Sequence, residues 1–249
     1  MRFFIQFSYF GKAYHGWQNQ PNAITVQEVL EGAMSKIMNQ SVVLMGAGRT
    51  DTGVHAKEMY AHFDVEELKD GNELVFRLNS LLPPDIAVQQ IFEVKEDAHA
   101  RFNATSRTYK YYITKLKDPF SFDNAHFIKK ELNVEQMNLA ARLLIGKKDF
   151  ECFSKTNTDV FTNICDLQKA HWSQENNMLV FTITADRFLR NMVRSIVGTL
   201  INVGIGKYPV DYVNTILKSK DRSMAGVSVP AKGLYLTSII YPNTILKNG

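Results

Sequence analysis

Residues 2–10, RFFIQFSYF, alternate in character and are rich in aromatics, which predicts a β-strand. From Thr25 the period changes. Val26, Val29, Leu30, Ala33, Met34 and Ile37 fall on one face of a helix, and Thr25 with Glu28 has the spacing of a capping box. SVVLM (41–45) reads as a strand running into a glycine-rich stretch, and EMYAHFDV (58–65) as the next strand. NELVFRLNSLL (72–82) reads as a helix stopped by Pro83 and Pro84, and DIAVQQIFEV (85–94) as a further strand. The order is strand, helix, strand, strand, helix, strand.

The second half repeats that order. RTYKYYITKL (107–116) reads as a strand, and NVEQMNLAARLLIG (133–146) as a helix with Asn133 as N-cap and Gly146 as its stop. ICDLQKAHWSQ (164–174) and MLVFTITAD (178–186) read as strands joined by Glu175, Asn176 and Asn177. Residues 188–206 form an apolar helix, 209–220 a shorter one with Pro209 in its first turn, and GLYLTSIIY (233–241) a closing strand. The fold class is therefore α+β, with two tandem split βαβ units of the ferredoxin or RRM type and antiparallel sheets. The expected domains are 1–104, carrying the glycine-rich loop, and 105–249, completing a cleft.

Composition narrows the classes. The chain has 249 residues, room for two modest cores. Lys and Arg number 29 against 25 acids, a net charge of +4, which permits an anionic partner without requiring one. Cys152 and Cys165 lack metal-site spacing and read as two buried thiols in a reducing compartment, with one disulfide as the alternative. The N-terminus is too polar and aromatic for a signal peptide, and the most apolar run, 192–205, contains Arg194 and Asn202 and is too short to span a bilayer. The expectation is a soluble cytoplasmic protein with no membrane partner.

Candidate chemistry centres on GAGRTDTGVHA (46–56). A phosphate-binding P-loop needs Lys and Ser/Thr after its last glycine, and here Val54 and His55 follow Gly53. A dinucleotide loop would meet a carboxylate, Asp51, where pyrophosphate should lie. Two readings remain: a strand connection in which glycines supply positive φ and Asp51 caps a turn, or a loop presenting Asp51 at a cleft as nucleophile or general base. In the second, Arg49 holds the carboxylate ionised or contacts its substrate. In HARFNATSRTYKYYITKLK (99–117) cations interleave with aromatics. Tyr109, Tyr111 and Ile113 share one strand face, which is either core or a base-stacking platform beside phosphate-binding cations. Arg194 sits inside the apolar helix, so its guanidinium either reaches water or pairs with a carboxylate, for which Asp51 is the candidate. His15, His55 and His171 show no triad or metal spacing.

These residues carry a resemblance. YHGWQNQPNAITVQEVLE, GAGRTDTGVHA, NSLLPPDIAV, ARFNATSRTYKYYI, NMVRSIVGTL and KGLYLTSIIYP resemble, in order and over nearly the whole chain, the tRNA pseudouridine synthase A family. The resemblance implies the pseudouridine synthase fold and isomerisation of uridine in the anticodon arm of tRNA, at tRNA positions 38–40. It also implies a homodimer with a positively charged cleft, and neither metal nor organic cofactor. Carried over by motif, Asp51 is the catalytic aspartate, Arg49 assists base flipping, Tyr109 packs on the target base and Arg194 pairs with the catalytic carboxylate. Leu234 and Leu236 match the strand beside the base pocket. The chain departs from the family at Thr52, commonly Ala, at Phe10, often Asp, and at Leu189-Arg190-Asn191, which replaces a His-rich run. The rival readings are a non-catalytic RNA-binding module and a phosphate-loop nucleotide hydrolase.

Overall fold

The structure is a computed structural model that describes residues 1–155 and 161–247. Along the chain run β1 (Arg2–Tyr9), α1 (Val26–Met38), β2 (Met45–Gly46), β3 (His55–Asp64), α2 (Gly71–Leu81) and β4 (Ile86–Val94). There follow β5 (Ser106–Thr114), β6 (His126–Phe127), α3 (Val134–Arg142), β7 (Gly146–Asp149), β8 (Ile164–Glu175), β9 (Met178–Ala185), α4 (Met192–Gly204), α5 (Tyr212–Ser219) and β10 (Leu234–Ile240). The chain folds into two compact units, Met1–Thr105 with Leu236–Gly249, and Ser106–Tyr235. The first unit thus takes back the closing strand, which the sequence reading placed with 105–249. Hydrogen bonds account for the return: Ile239 N–H donates to the Glu58 carboxylate at 2.7 Å, Tyr241 Oη–H to Ala100 O at 2.6 Å, and Thr105 N–H to Ile240 O at 2.8 Å.

In the first unit the strand order is β4-β1-β3, all antiparallel, with β2 and the Leu236–Ile240 part of β10 along the far side of β3. This is the split βαβ arrangement that the order of elements predicts. Thr25 caps α1 by accepting the Glu28 N–H at 3.2 Å, and Asp70 caps α2 by accepting from Asn72 and Glu73. The alternation of β1 is incomplete for a physical reason. Phe3, Ile5, Phe7 and Tyr9 are buried on one face, but Phe4 is buried too, its ring 5.2 Å from that of Tyr241.

The strand expected over 41–45 shrinks to Met45–Gly46. The backbone before it is bonded to side chains of α1 instead of a ladder. Val42 N–H donates to Ser35 Oγ at 3.0 Å and Leu44 N–H to Glu31 Oε1 at 2.8 Å, while Leu44 O accepts from Gln27 Nε2 at 2.9 Å.

His62 of β3 is buried, and its Nδ1 accepts the Ala100 N–H at 3.2 Å. Burial, then the charges of His99 and Arg2, push its pKa down to about 4, against the opposing pull of Asp64. Between that value and the ordinary 6.5 the unfolded chain binds a proton that the native chain refuses. Stability is therefore full above about pH 6.5 and falls as pH drops towards 4, with a slope of at most about 1.4 kcal/mol per pH unit from this one group. His62→Asn keeps an acceptor and removes the titration, so urea midpoints measured from pH 7 to 4 should flatten. An unchanged slope would place the acid sensitivity elsewhere.

In the second unit the order is β5-β9-β8-β7, antiparallel, with β6 pairing β5 in parallel. β8 and β9 form a hairpin whose turn puts Asn176 at φ 53°. β7 was not foreseen, because Gly146 reads as a helix stop. α3 instead ends at Arg142, and Gly146, at φ +97°, opens the strand. Residues 209–211 likewise form tight turns, Tyr212 N–H donating to Pro209 O at 3.1 Å, so α5 begins later than Pro209. The core is built from Trp172 and Phe181 (ring centroids 4.8 Å apart) with Tyr111, Phe150 and Phe153. α4 is buried almost all round, as its apolar sequence predicts. Cys152 and Cys165 are both free and buried, and burial pushes each thiol up to about 12. Among the described residues no helix is long and apolar enough to cross a membrane.

Candidate active site

Asp51 lies in the loop between β2 and β3, half-buried, two residues after the exposed Arg49. Asp51 opens a turn closed by the Val54 N–H, which donates to Asp51 O at 3.1 Å. Gly53 sits third in that turn at φ +76°, a conformation that a type II turn reserves for glycine. The chain after β1 frames the loop from outside. Tyr9 Oη and Thr50 Oγ1 share a hydrogen bond of 2.9 Å, and Gly53 N–H donates to Tyr14 O at 3.3 Å. Tyr14 is anchored in turn by Asp85, whose Oδ1 accepts its hydroxyl at 2.6 Å. Burial, then that bond, raise the Tyr14 pKa, so the hydroxyl stays protonated and keeps donating.

His55 closes the frame. It is buried, its ring lies 4.2 Å from that of Phe10 at 20°, and Nδ1 accepts the Gly11 N–H at 2.9 Å. An accepting Nδ1 carries no proton, so the neutral ring is protonated at Nε2. His55 is thus packed and hydrogen-bonded. Phe10, one of the departures from the family pattern, supplies its stacking partner. Gly16 passes behind the loop at φ +89°, so close that a Cβ there would stand 2.2 Å from Thr50 O.

Tyr109 and Arg194 belong to the second unit. Tyr109 lies on β5, paired with Ile183 of β9, half-buried, its ring edge-on to Phe188 at 5.2 Å. Tyr111, on the same strand face, is fully buried and donates its hydroxyl to Pro230 O at 2.9 Å, which makes it core. Its pKa is raised by burial, with the positive charge of Arg194 opposing. Arg194 occupies the first turn of α4, half-buried, and donates Nε–H to Val229 O at 2.7 Å. The structure therefore places the four residues in pairs: Arg49 with Asp51 in one loop, and Tyr109 with Arg194 in the other unit. The sequence reading missed the supports, namely Tyr9, Tyr14 and Asp85 behind the loop and residues 229–230 beside Arg194. No local pattern joins them, because the partners lie far apart in the chain.

Comparison with known proteins decides the family. A family model described as tRNA pseudouridine synthase matches residues 5–103 and 140–242. The chain belongs to the tRNA pseudouridine synthase family. The match covers Arg49, Asp51 and Arg194, while Tyr109 falls between its two segments. Among similar members of this isomerase family, a protein named tRNA pseudouridine synthase A from Parabacteroides distasonis is 51% identical over 98% of this chain and 97% of its own length. The protein of that name from Bacteroides thetaiotaomicron is 50% identical, covering 98% of this chain and 92% of its own. That from Thermoanaerobacter pseudethanolicus is 44% identical over 95% and 98%. The family membership and the α+β architecture agree with what the motifs and the order of elements imply.

Proposed function

We propose that this chain isomerises uridine to pseudouridine in tRNA, at positions 38–40 of the anticodon arm, with Asp51 as the catalytic carboxylate. In this reading it acts in the cytoplasm as a homodimer without a cofactor. The observation that carries the reading is the framed loop. In a member of this family, a carboxylate stands in a loop whose turn is fixed by backbone and neighbouring bonds: Val54 to Asp51 O, Gly53 to Tyr14 O, and Thr50 to Tyr9.

The reaction breaks the bond between C1′ and N1, turns the detached uracil and forms the bond between C1′ and C5. The C5 proton leaves, N1 gains one, and no atoms are added. An aspartate serves this by attack on C1′, by attack on C6, or by removing a ribose proton. Each route needs the base out of its stack, at a cost of a few kcal/mol. Arg49 offsets that cost by filling the vacated space. Tyr109 offsets it by stacking on the uracil, and Arg194 contributes a fixed positive charge to substrate binding.

The test is tritium release from tRNA labelled as [5-³H]uridine, because substrate and product have equal mass. Release by the native chain, restricted to uridines of the anticodon arm, is the expected result. Binding of tRNA with no release would leave an RNA-binding module and overturn the reading.

A further inference from the structure

Residues 226–230, GVSVP, form a strap bound antiparallel along α4. At one end Gly226 N–H donates to Thr199 Oγ1 at 2.8 Å. Two glycines allow the approach: a Cβ at Gly198 would stand 1.9 Å from Val227 O, and one at Gly226 would stand 2.4 Å from Thr199 N. At the other end Ser228 Oγ accepts from Asn191 Nδ2 at 2.5 Å and from Arg222 Nη2 at 3.0 Å. Just after the second tie, Val229 bonds Arg194 twice. Its N–H donates to Arg194 O at 3.2 Å, and its carbonyl accepts Arg194 Nε–H at 2.7 Å. The next carbonyl, Pro230 O, accepts the hydroxyl of the buried Tyr111 at 2.9 Å, so the strap is pinned to β5 as well.

A helical arginine satisfies its backbone carbonyl within the helix, so the Val229 contacts are beyond what α4 needs. One of the two, the bond from Nε–H to Val229 O, acts on the side chain. A guanidinium carries several rotatable bonds, and binding through it costs the freedom those bonds lose. A carbonyl locked to Nε fixes the plane of the fork before substrate arrives.

We propose that the strap 226–230 is a positioning element for Arg194, with Ser228 and Thr199 as the residues that hold it in register. The proposal rests on the reading that Arg194 binds substrate. Neither Ser228 nor Thr199 touches substrate in this scheme; both act through Val229 O.

The experiment is a double-mutant cycle. Ser228→Ala and, independently, Thr199→Val are each made in the native chain and in Arg194→Lys, whose side chain has no Nε–H to lock. Single-turnover tritium release, tRNA affinity and melting temperature are measured for these six proteins and for Ser228→Thr. In the native background each strap variant should slow single turnover roughly 5- to 20-fold at a temperature well below melting. Ser228→Thr should restore the rate. In the Arg194→Lys background the same strap substitutions should change nothing further, because coupled residues are non-additive. Equal rate losses in both backgrounds, or losses that follow melting temperature alone, would overturn the positioning role while leaving Arg194 in place. An Arg194→Lys protein with native rate and affinity would instead remove the underlying reading of Arg194.

Discussion

Asp51→Asn should bind tRNA within about twofold of the native chain and lower the single-turnover rate by on the order of 10⁴-fold or more, the scale seen when a group of the reacting set is removed. The substitution preserves size and changes only the carboxylate. The bonds that frame the loop use the Asp51 carbonyl and its neighbours: Val54 N–H donates to Asp51 O at 3.1 Å, and Thr50 is tied to Tyr9 at 2.9 Å. Those bonds are untouched by the substitution, and the melting temperature checks that the loop survives it. A fall in tRNA affinity as large as the fall in rate would make Asp51 a structural residue. A rate that survives would move the chemistry to another group.

Gly16→Ala should be a severely damaging single methyl near the site. Two costs add. At φ +89° an L-residue is strained, and the new Cβ would stand 2.2 Å from Thr50 O, a backbone atom that cannot swing aside as a side chain does. Relief requires Thr50 to retreat, which moves the residue preceding Asp51 and breaks its bond to Tyr9. A loss of about 3 kcal/mol is expected, which for a chain of this size lowers the melting temperature by roughly 6–12 °C. Activity should fall even at temperatures where the protein is fully folded. A variant with native melting and native turnover would show that the segment behind the loop yields without cost.

How much of this was readable in advance depends on sequence separation. The Asp51 loop was legible because its turn, its carboxylate and its glycine are contiguous, and because the exclusion of a P-loop needs only Val54 and His55. The helices were legible from period and caps, with Thr25 and Asn133 each accepting the expected backbone N–H. β2 was overestimated because Glu31, Gln27 and Ser35 take up the backbone of 42–44, a competition between side chain and ladder that no periodicity encodes. β7 was hidden by a glycine that serves a strand as readily as a helix end. The supports were the least legible. Tyr14 meets Asp85 across 71 residues and Arg194 meets Val229 across 35, and each partner alone is an ordinary residue in an ordinary segment.

The return of Leu236–Ile240 to the first unit has a consequence for synthesis on the ribosome. The strand that lines the far side of β3 leaves the ribosome only after all of Ser106–Tyr235, which is 235 − 106 + 1 = 130 residues. At elongation rates of about 5–20 residues per second, that is a wait of roughly 7 to 26 s. Through that interval Glu58 lacks the Ile239 N–H, Ala100 O lacks the Tyr241 hydroxyl, and part of the β3 edge offers unpaired backbone groups to any passing strand. The second unit, contiguous in the chain, faces no such delay. A nascent chain stalled before Leu236 therefore carries a second unit whose residues are all synthesised and a first one, bearing Asp51, whose edge stays open until the last strand emerges.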